Sequence, residues 1–295
     1  MSENNAVELD QAPIKRKNQF IEVMKRLSYN KGAIAGGIII VLVIALAIIG
    51  PFLCPYNYAK IDVLNRLCSP CWEHPFGTDQ LGRDILARIL TGARYSLIVG
   101  IGSVIISSSL GIIVGCVAGF FGGKVDQTIM RLCDIVQAIP GMILNIAMSC
   151  LLGPGVINTT FALGISGISG TARLMRSSIL NVRKMEYLDA AAVTNCGTVR
   201  TIVKHIFPNT FAPLLVQATM GVGGRIMAAA GMSYIGIGVR PPTPEWGAML
   251  SESRNQFAGA PYLCLIPGIC IMLVVLAMNL LGDGLRDACD PKLKK

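Results

Sequence analysis

The chain reads as an all-α membrane protein with six transmembrane helices. Three observations predict this. Hydrophobic residues make up 53% of its 295 residues and charged residues only 15%, against about 25% charged in a typical soluble domain. The mean hydropathy is +0.58. The few charges are bunched, leaving five long runs with almost none. Lipid as the solvent explains such runs, because a helix needs about 20 apolar residues in succession to cross it.

In chain order, residues 1–32 form a polar tail rather than a secretory signal with an early apolar core, so the first apolar segment is a retained anchor. The run 32–59 carries no charge. Its core, 33–53, is the first transmembrane helix, about 31 Å long at roughly 1.5 Å per residue. An outer loop, 54–94, follows. Within it HPFGTDQLGRDILARILTGARYSL (74–97) predicts a short interfacial helix leading into the second span. Ile85, Ile89 and Leu90 line its apolar side; Arg83, Arg88 and Arg94 face water or headgroups. A docking surface for another protein is the other reading of that helix.

The second span lies in 95–123. Ser103, Ser107, Gly111, Gly115 and Gly119 recur every four residues along it, a smooth stripe that lets helices approach closely. The run 135–172 is too long for one crossing, and Gly153-Pro154-Gly155 near its middle is a turn signal. It predicts two helices joined by a tight hairpin. The run 206–239, rich in Gly and Ala, is interrupted only by Arg225, and 255–282 is the last. Residues 95–282 are therefore a five-helix core, and 283–295 a C-terminal tail.

Lys and Arg orient the spans. The N-terminal tail, the loop with Lys124 and Arg131, the segment 173–205 and the C-terminal end hold 18 of the 26 basic residues. With six crossings these regions share one side, which the positive-inside rule makes the cytoplasm. Both termini are then cytoplasmic. The same rule accounts for the net charge of +9, so nucleic acid is not the implied partner. Of the ten cysteines, Cys116, Cys133, Cys150 and Cys270 lie in apolar stretches as small core residues. Cys68 and Cys71 form a lone Cys-x-x-Cys with no second pair or His cluster to complete a zinc site. A local disulfide and two free thiols both remain open.

The segment 183–205 breaks the apolar pattern. A helical stretch over 183–193 stops at Asn195-Cys196-Gly197, where Gly is able to take a left-handed cap. A second helical stretch begins at Thr198, and Pro208 opens the next span. An amphipathic helix presented in this way suits a groove on a partner protein.

Asp189-Ala190-Ala191, Gly197 and Ile206-Phe207-Pro208 resemble the Glu-Ala-Ala signature of bacterial ABC importer permeases, with Asp for the usual Glu and Phe for the usual Leu. HPFGTDQLGRDILARILTGARYSL, GVRPPTPEWGAML (238–250) and NLLGDGLRDACDPKLKK (279–295) are similar to the second permease of the dipeptide, oligopeptide and nickel subfamily. The resemblance covers the chain from about residue 20, and several separated motifs in order are more specific than one short pattern.

The resemblance implies a type I ABC importer permease bundle in the bacterial inner membrane. It implies a heterodimer with a second homologous permease, two ABC ATPase subunits and an extracytoplasmic substrate-binding protein. The coupling helix docks in a cleft of an ATPase, and ATP-driven closure turns the bundle outward. Carried over to this chain, the docking role falls on Arg183, Glu186, Tyr187, Asp189, Ala190, Ala191 and Gly197. The chain itself is not an enzyme and binds no cofactor or metal; ATP and Mg belong to the partner ATPases. Consistent with this, a phosphate-binding loop needs Gly-x-x-x-x-Gly-Lys-Ser/Thr. At the only Gly-Lys, Gly123-Lys124, Ala118 stands where the first Gly belongs and Val125 follows the Lys.

Arg225 is costly inside a span, by about 2.5–3.5 kcal/mol on the insertion scale. One reading places it on the aqueous path, meeting a substrate carboxylate such as a peptide C-terminus; the other gives it a partner acid or lets it snorkel. Two further functions compete with a peptide importer. A nickel or metallophore importer shares the architecture. An intramembrane serine protease is suggested by two Gly-x-Ser-Gly matches at Ser166 and Ser169, but neither of the two histidines, His74 and His205, falls in a span beside them.

Overall fold

The computed structural model describes residues 19–183, 185 and 197–289. Among these the chain is helical, with no strand and one isolated bridge, Thr78 to Asp84. In order, the helices are α1 (Gln19–Leu27), α2 (Lys31–Leu53), α3 (Ile85–Phe121), α4 (Gly123–Ala138), α5 (Gly141–Leu152), α6 (Val156–Ser166) and α7 (Ile168–Val182). After the gap come α8 (Thr198–Thr201), α9 (Phe207–Tyr234), α10 (Trp246–Ser253) and α11 (Tyr262–Cys289).

Asn30 starts α2 by accepting the Ala33 N–H at 3.2 Å. Pro51 and Pro55 bring it to its end beyond Leu53. The helix buries a narrow stripe of small residues, among them Ala33, Gly36, Ala47 and Gly50, and leaves Ile38, Val41, Leu42 and Ile48 exposed. That distribution suits a helix with lipid on most sides. At Gly36 an added Cβ would come within 2.5 Å of the Ala277 carbonyl on α11, so the two backbones are nearly in contact.

α3 is longer than expected. Asp84 caps it, accepting the Ala87 N–H at 2.7 Å, and it then runs unbroken to Phe121. Of the stretch expected to be a separate interfacial helix, 74–97, residues 85–97 are the first turns of α3 and 74–84 are non-helical loop. Ile85 and Ile89 are buried, but so are Arg83 and Arg88, which do not face water; only Arg94 is exposed. The stripe of small residues packs along α7. Added Cβ atoms would lie 2.5 Å from Thr171 at Gly111 and 2.4 Å from the Ala172 carbonyl at Gly115. Gly115→Val is expected to force this backbone contact apart and destabilise the protein by about 1–3 kcal/mol, the usual cost of overpacking. Thermal unfolding of the detergent-purified variant measures it.

The long run around residue 150 does form a hairpin. Gly153 (φ +82°) and Gly155 (φ +139°) take turn conformations that side chains disfavour. The arms are shorter than single crossings. Ile139-Pro140 separates α4 from α5 with a bend of 91°, and Gly167 separates α6 from α7. Among the described residues three helices, α2, α3 and α11, are long and apolar enough to cross a membrane, or four if α4 and α5 together make one span. α11 also extends past the expected limit at 282, to Cys289.

The two ends of the bundle are distinct. At one end the loop 54–84, the hairpin and residues 235–262 meet. Gly155 N–H donates to Gly238 O at 3.2 Å, and the Tyr262 hydroxyl donates to Cys68 O at 3.1 Å. At the other end lie Asn30 against Asp287, and the α3–α4 corner against α7.

Candidate functional site

Of the expected docking residues, Arg183 and Gly197 are described. Glu186, Tyr187, Asp189, Ala190 and Ala191 lie outside the described residues. Arg183 stands where the segment leaves the bundle. Its Nη1 donates to the carbonyls of Gly119 (3.2 Å) and Phe120 (3.1 Å). These are end-of-helix acceptors of α3 that lack helical partners, and a cation there opposes the negative pole of the helix. Next to it Arg176 grips Asp126 with two bonds of 2.5 and 2.6 Å, and Arg173 reaches Asp134 at 2.6 Å. The start of the segment is thus anchored to α3, while α4 is locked onto α7.

The return anchor is Gly197. It is exposed, and a Cβ added there meets nothing within 4 Å. Its carbonyl accepts from the Thr201 N–H at 3.0 Å and hydroxyl at 3.2 Å. α8 then passes through a π-helical turn, Ile202–Ile206, into α9.

Arg225 is half-buried on α9. Its Nη1 donates to the Leu163 carbonyl at 2.7 Å and to Ser166 Oγ at 3.3 Å. The cause lies in the break at Gly167. The Gly167 N–H turns to Gly164 O at 3.1 Å, so Leu163 O loses the partner four residues ahead that a continuous helix would supply. The guanidinium takes the place of that lost backbone donor, sharing the acceptor with the Ser166 hydroxyl. It fits because position 167 has no side chain: a Cβ there would sit 1.8 Å from Arg225 Nη2. The chain thus supplies two neutral acceptors of its own for this cation.

Arg225 also lines a cavity of about 310 Å³ with Ser107, Ser108, Gln137, Ser169 and Gln217, drawn from α3, α4, α7 and α9. Among the described residues no carboxylate lines it. It adjoins a more apolar groove of about 730 Å³ through shared Gln217 and Gly221, and that groove reaches Arg286 and Cys289. Gln137 and Gln217 escaped the sequence reading. Each is one of a few amides inside an otherwise apolar run, beside Asn145 and Asn158 in the first and Asn209 in the second, a weaker signal than the single charge that marked Arg225. Ser166 donates its hydroxyl to Leu163 O at 2.9 Å, which is helix-end bonding rather than nucleophile geometry. Among the described residues no group of three or more His, Cys, Asp or Glu is placed to hold a metal ion.

At the opposite end the motifs 74–97 and 238–250 pack on each other. Asp79 accepts from Arg83 Nε at 2.6 Å and from Arg88 Nη1; Glu252 accepts from Arg83 at 3.0 Å and Arg88 at 2.6 Å. Arg88 is 1% exposed and Asp79 6%. Glu245, fully buried, caps α10 through Ala248 N–H at 2.9 Å and accepts the Ser96 hydroxyl at 3.2 Å. Trp246 donates its indole N–H to Ile89 O at 3.1 Å. Sequence reasoning recognised both motifs and missed Glu252, because no local signal pairs it with arginines more than 160 residues away.

Comparison with known proteins agrees with the resemblance. Residues 111–295 match the family model described as the inner membrane component of binding-protein-dependent transport systems. Residues 18–70 match the N-terminal transmembrane domain of oligopeptide transport permease C. The dipeptide transport system permease protein DppC of Alkalihalophilus pseudofirmus is 45% identical over 92% of this chain and 90% of its own length. The di/tripeptide transport system permease protein DppC of Pseudomonas aeruginosa is 40% identical, covering 92% of each. The glutathione transport system permease protein GsiD of Pectobacterium atrosepticum is 41% identical, over 92% and 91%. Among solved structures, an inward-facing form of the MetNI methionine ABC transporter overlays with a TM-score of 0.59 at 15% identity, covering 69% of this chain and 97% of that one. At that identity the likeness concerns the fold.

Proposed function

The chain belongs to the family of inner membrane components of binding-protein-dependent transport systems, and we propose that it is the second permease of a dipeptide or oligopeptide importer. Members of this family are non-catalytic membrane subunits of ABC transporters, and the ATPase resides on separate chains. The names of the relatives support a peptide cargo. The observation that carries the reading within this molecule is the cavity at Arg225. It offers one fixed cation among hydroxyls and amides, a set matched to a free carboxylate and peptide groups.

In this reading the bundle crosses the bacterial inner membrane six times. α2, α3, α9 and α11 make four crossings, and the bent pairs α4–α5 and α6–α7 complete the other two. Both termini are cytoplasmic, on the end that holds Arg173, Arg176 and Arg183. A second homologous permease completes the pore, and an extracytoplasmic binding protein delivers the cargo. Two ATPase subunits with their Mg-ATP sit beneath, and Glu186, Tyr187, Asp189, Ala190, Ala191 and Gly197 dock in the cleft of one of them, with Arg183 anchoring the docking helix. Arg225 keeps Leu163 O with one nitrogen and offers the rest of its fork to the passing carboxylate.

Uptake by the source cells tests the reading, with labelled dipeptide, a longer labelled peptide and labelled nickel run in parallel. Arg225→Ala is expected to lower peptide uptake about 10- to 100-fold, the factor for a lost charged hydrogen bond of roughly 1.5–3 kcal/mol, with Arg225→Lys retaining part. Unchanged peptide uptake at normal protein level rules out the carboxylate role. Deleting the chain and losing nickel uptake alone moves the cargo to the metal.

A further inference from the structure

The sequence Cys68-Ser69-Pro70-Cys71 is the one motif that the transport reading leaves unused. Its two thiols lie 4.0 Å apart, Sγ to Sγ. Both ends of the motif are fastened to the body of the protein. Cys68 donates its N–H to Thr78 Oγ1 at 2.9 Å, and its carbonyl accepts from Thr78 N–H at 3.0 Å and the Tyr262 hydroxyl at 3.1 Å. Cys71 donates its N–H to His74 O at 3.0 Å, and its sulfur accepts the His74 N–H at 3.4 Å. His74 is in turn held by Asp84, the cap of α3, at 2.8 Å. Two sulfurs on anchored backbones, in van der Waals contact, have about 2 Å to close to reach the roughly 2.05 Å of a bond. Cys71 is exposed and Cys68 half-buried, so a reagent reaches the pair from solvent.

We propose that Cys68 and Cys71 are a disulfide-forming pair on the external face of the permease. The external placement rests on the topology given above, which puts the loop 54–84 on the oxidising side, where disulfides persist. The two thiols together give up two protons and two electrons, and the oxidant is a small or protein disulfide. The exposed Cys71 thiolate attacks one sulfur of that disulfide and releases its first thiolate. Cys68, deprotonated, then attacks the Cys71 sulfur of the mixed disulfide and releases the second. The two protons pass to the departing thiolates. This order fits the hydrogen bond to Cys71, which with partial desolvation pushes the Cys68 thiol above its usual range. The product is a covalent ring around Ser69 and Pro70, immediately before Trp72, which is 98% exposed.

Purified full-length protein is incubated with oxidised or with reduced glutathione, alkylated with iodoacetamide and digested with trypsin. Cleavage after Arg66 and Arg83 yields a fragment, 67–83, with these two cysteines and no other. After oxidised glutathione the fragment is expected to be two hydrogens lighter with both alkyl labels lost; after reduced glutathione it carries two labels. Cys71→Ser is expected to abolish the light fragment. A fragment that still takes two labels after the oxidant overturns the pair. In intact cells, a membrane-impermeant maleimide is expected to label Cys71 only after reduction. Oxidation of the purified pair combined with no labelling of reduced cells overturns the external disulfide through the topology rather than through the geometry of the pair. Labelling of cells without prior reduction overturns it through the redox state.

Discussion

Gly197→Asp is expected to abolish peptide uptake while the protein remains in the membrane at its normal level. Position 197 is exposed, and an added Cβ meets nothing within 4 Å among the described residues, so this chain itself has no reason to reject a side chain there. In the proposed docking, a partner seated over this segment does. A carboxylate buried in that contact without a partner is costly, and each loss of roughly 1.4 kcal/mol in docking lowers affinity about tenfold. A fall in labelled-dipeptide uptake of at least about tenfold is therefore expected, with Gly197→Ala nearly unaffected. Immunoblotting fixes the protein level, and co-purification of the ATPase subunits reads the docking directly. Full uptake by Gly197→Asp at normal level refutes the coupling assignment of this segment.

Asp79→Ala is expected to be the most destabilising single change at the end of the bundle that holds the loop 54–84. Its carboxylate accepts from two buried guanidiniums and from the backbone N–H groups of Leu81 and Arg83 at 2.8 and 3.0 Å. Truncation leaves Arg83 and Arg88 with Glu252 alone, and breaking a buried ion pair from one side costs about 3–5 kcal/mol. Glu252→Ala removes two bonds to the same arginines, but the Glu252 side chain is 15% exposed against 8% for Asp79. Water partly replaces it there, so the smaller loss is expected. Thermal unfolding of the two detergent-purified variants gives the order, and the reverse order contradicts the roles assigned to these carboxylates.

Several elements are legible in the sequence, for definable reasons. The stripe from Ser103 to Gly119 predicted close packing because residues four apart share a helix face; α7 is the helix that fills it. The hairpin at Gly153-Pro154-Gly155 was readable because the turn depends on local backbone freedom. The extent of α3 was misread because charge was taken as a boundary. Arg83 and Arg88 interrupt the apolar pattern, yet Asp79 and Glu252 neutralise them inside the protein.

Arg225 marks the division between the two sources of information. The sequence alone determined that an arginine in that run requires compensation, since hydrophobic periodicity and charge placement are local properties of the chain. It likewise determined the helical class, the apolar segments and the family motifs. Only the tertiary structure decided what compensates. The Leu163 carbonyl becomes available because the chain breaks at Gly167, and the missing side chain at Gly167 leaves the room that the guanidinium occupies. The same holds for Glu252 with Arg88 and for Tyr262 with Cys68. Such pairings join residues tens to nearly two hundred positions apart, and they exist only once the helices have packed.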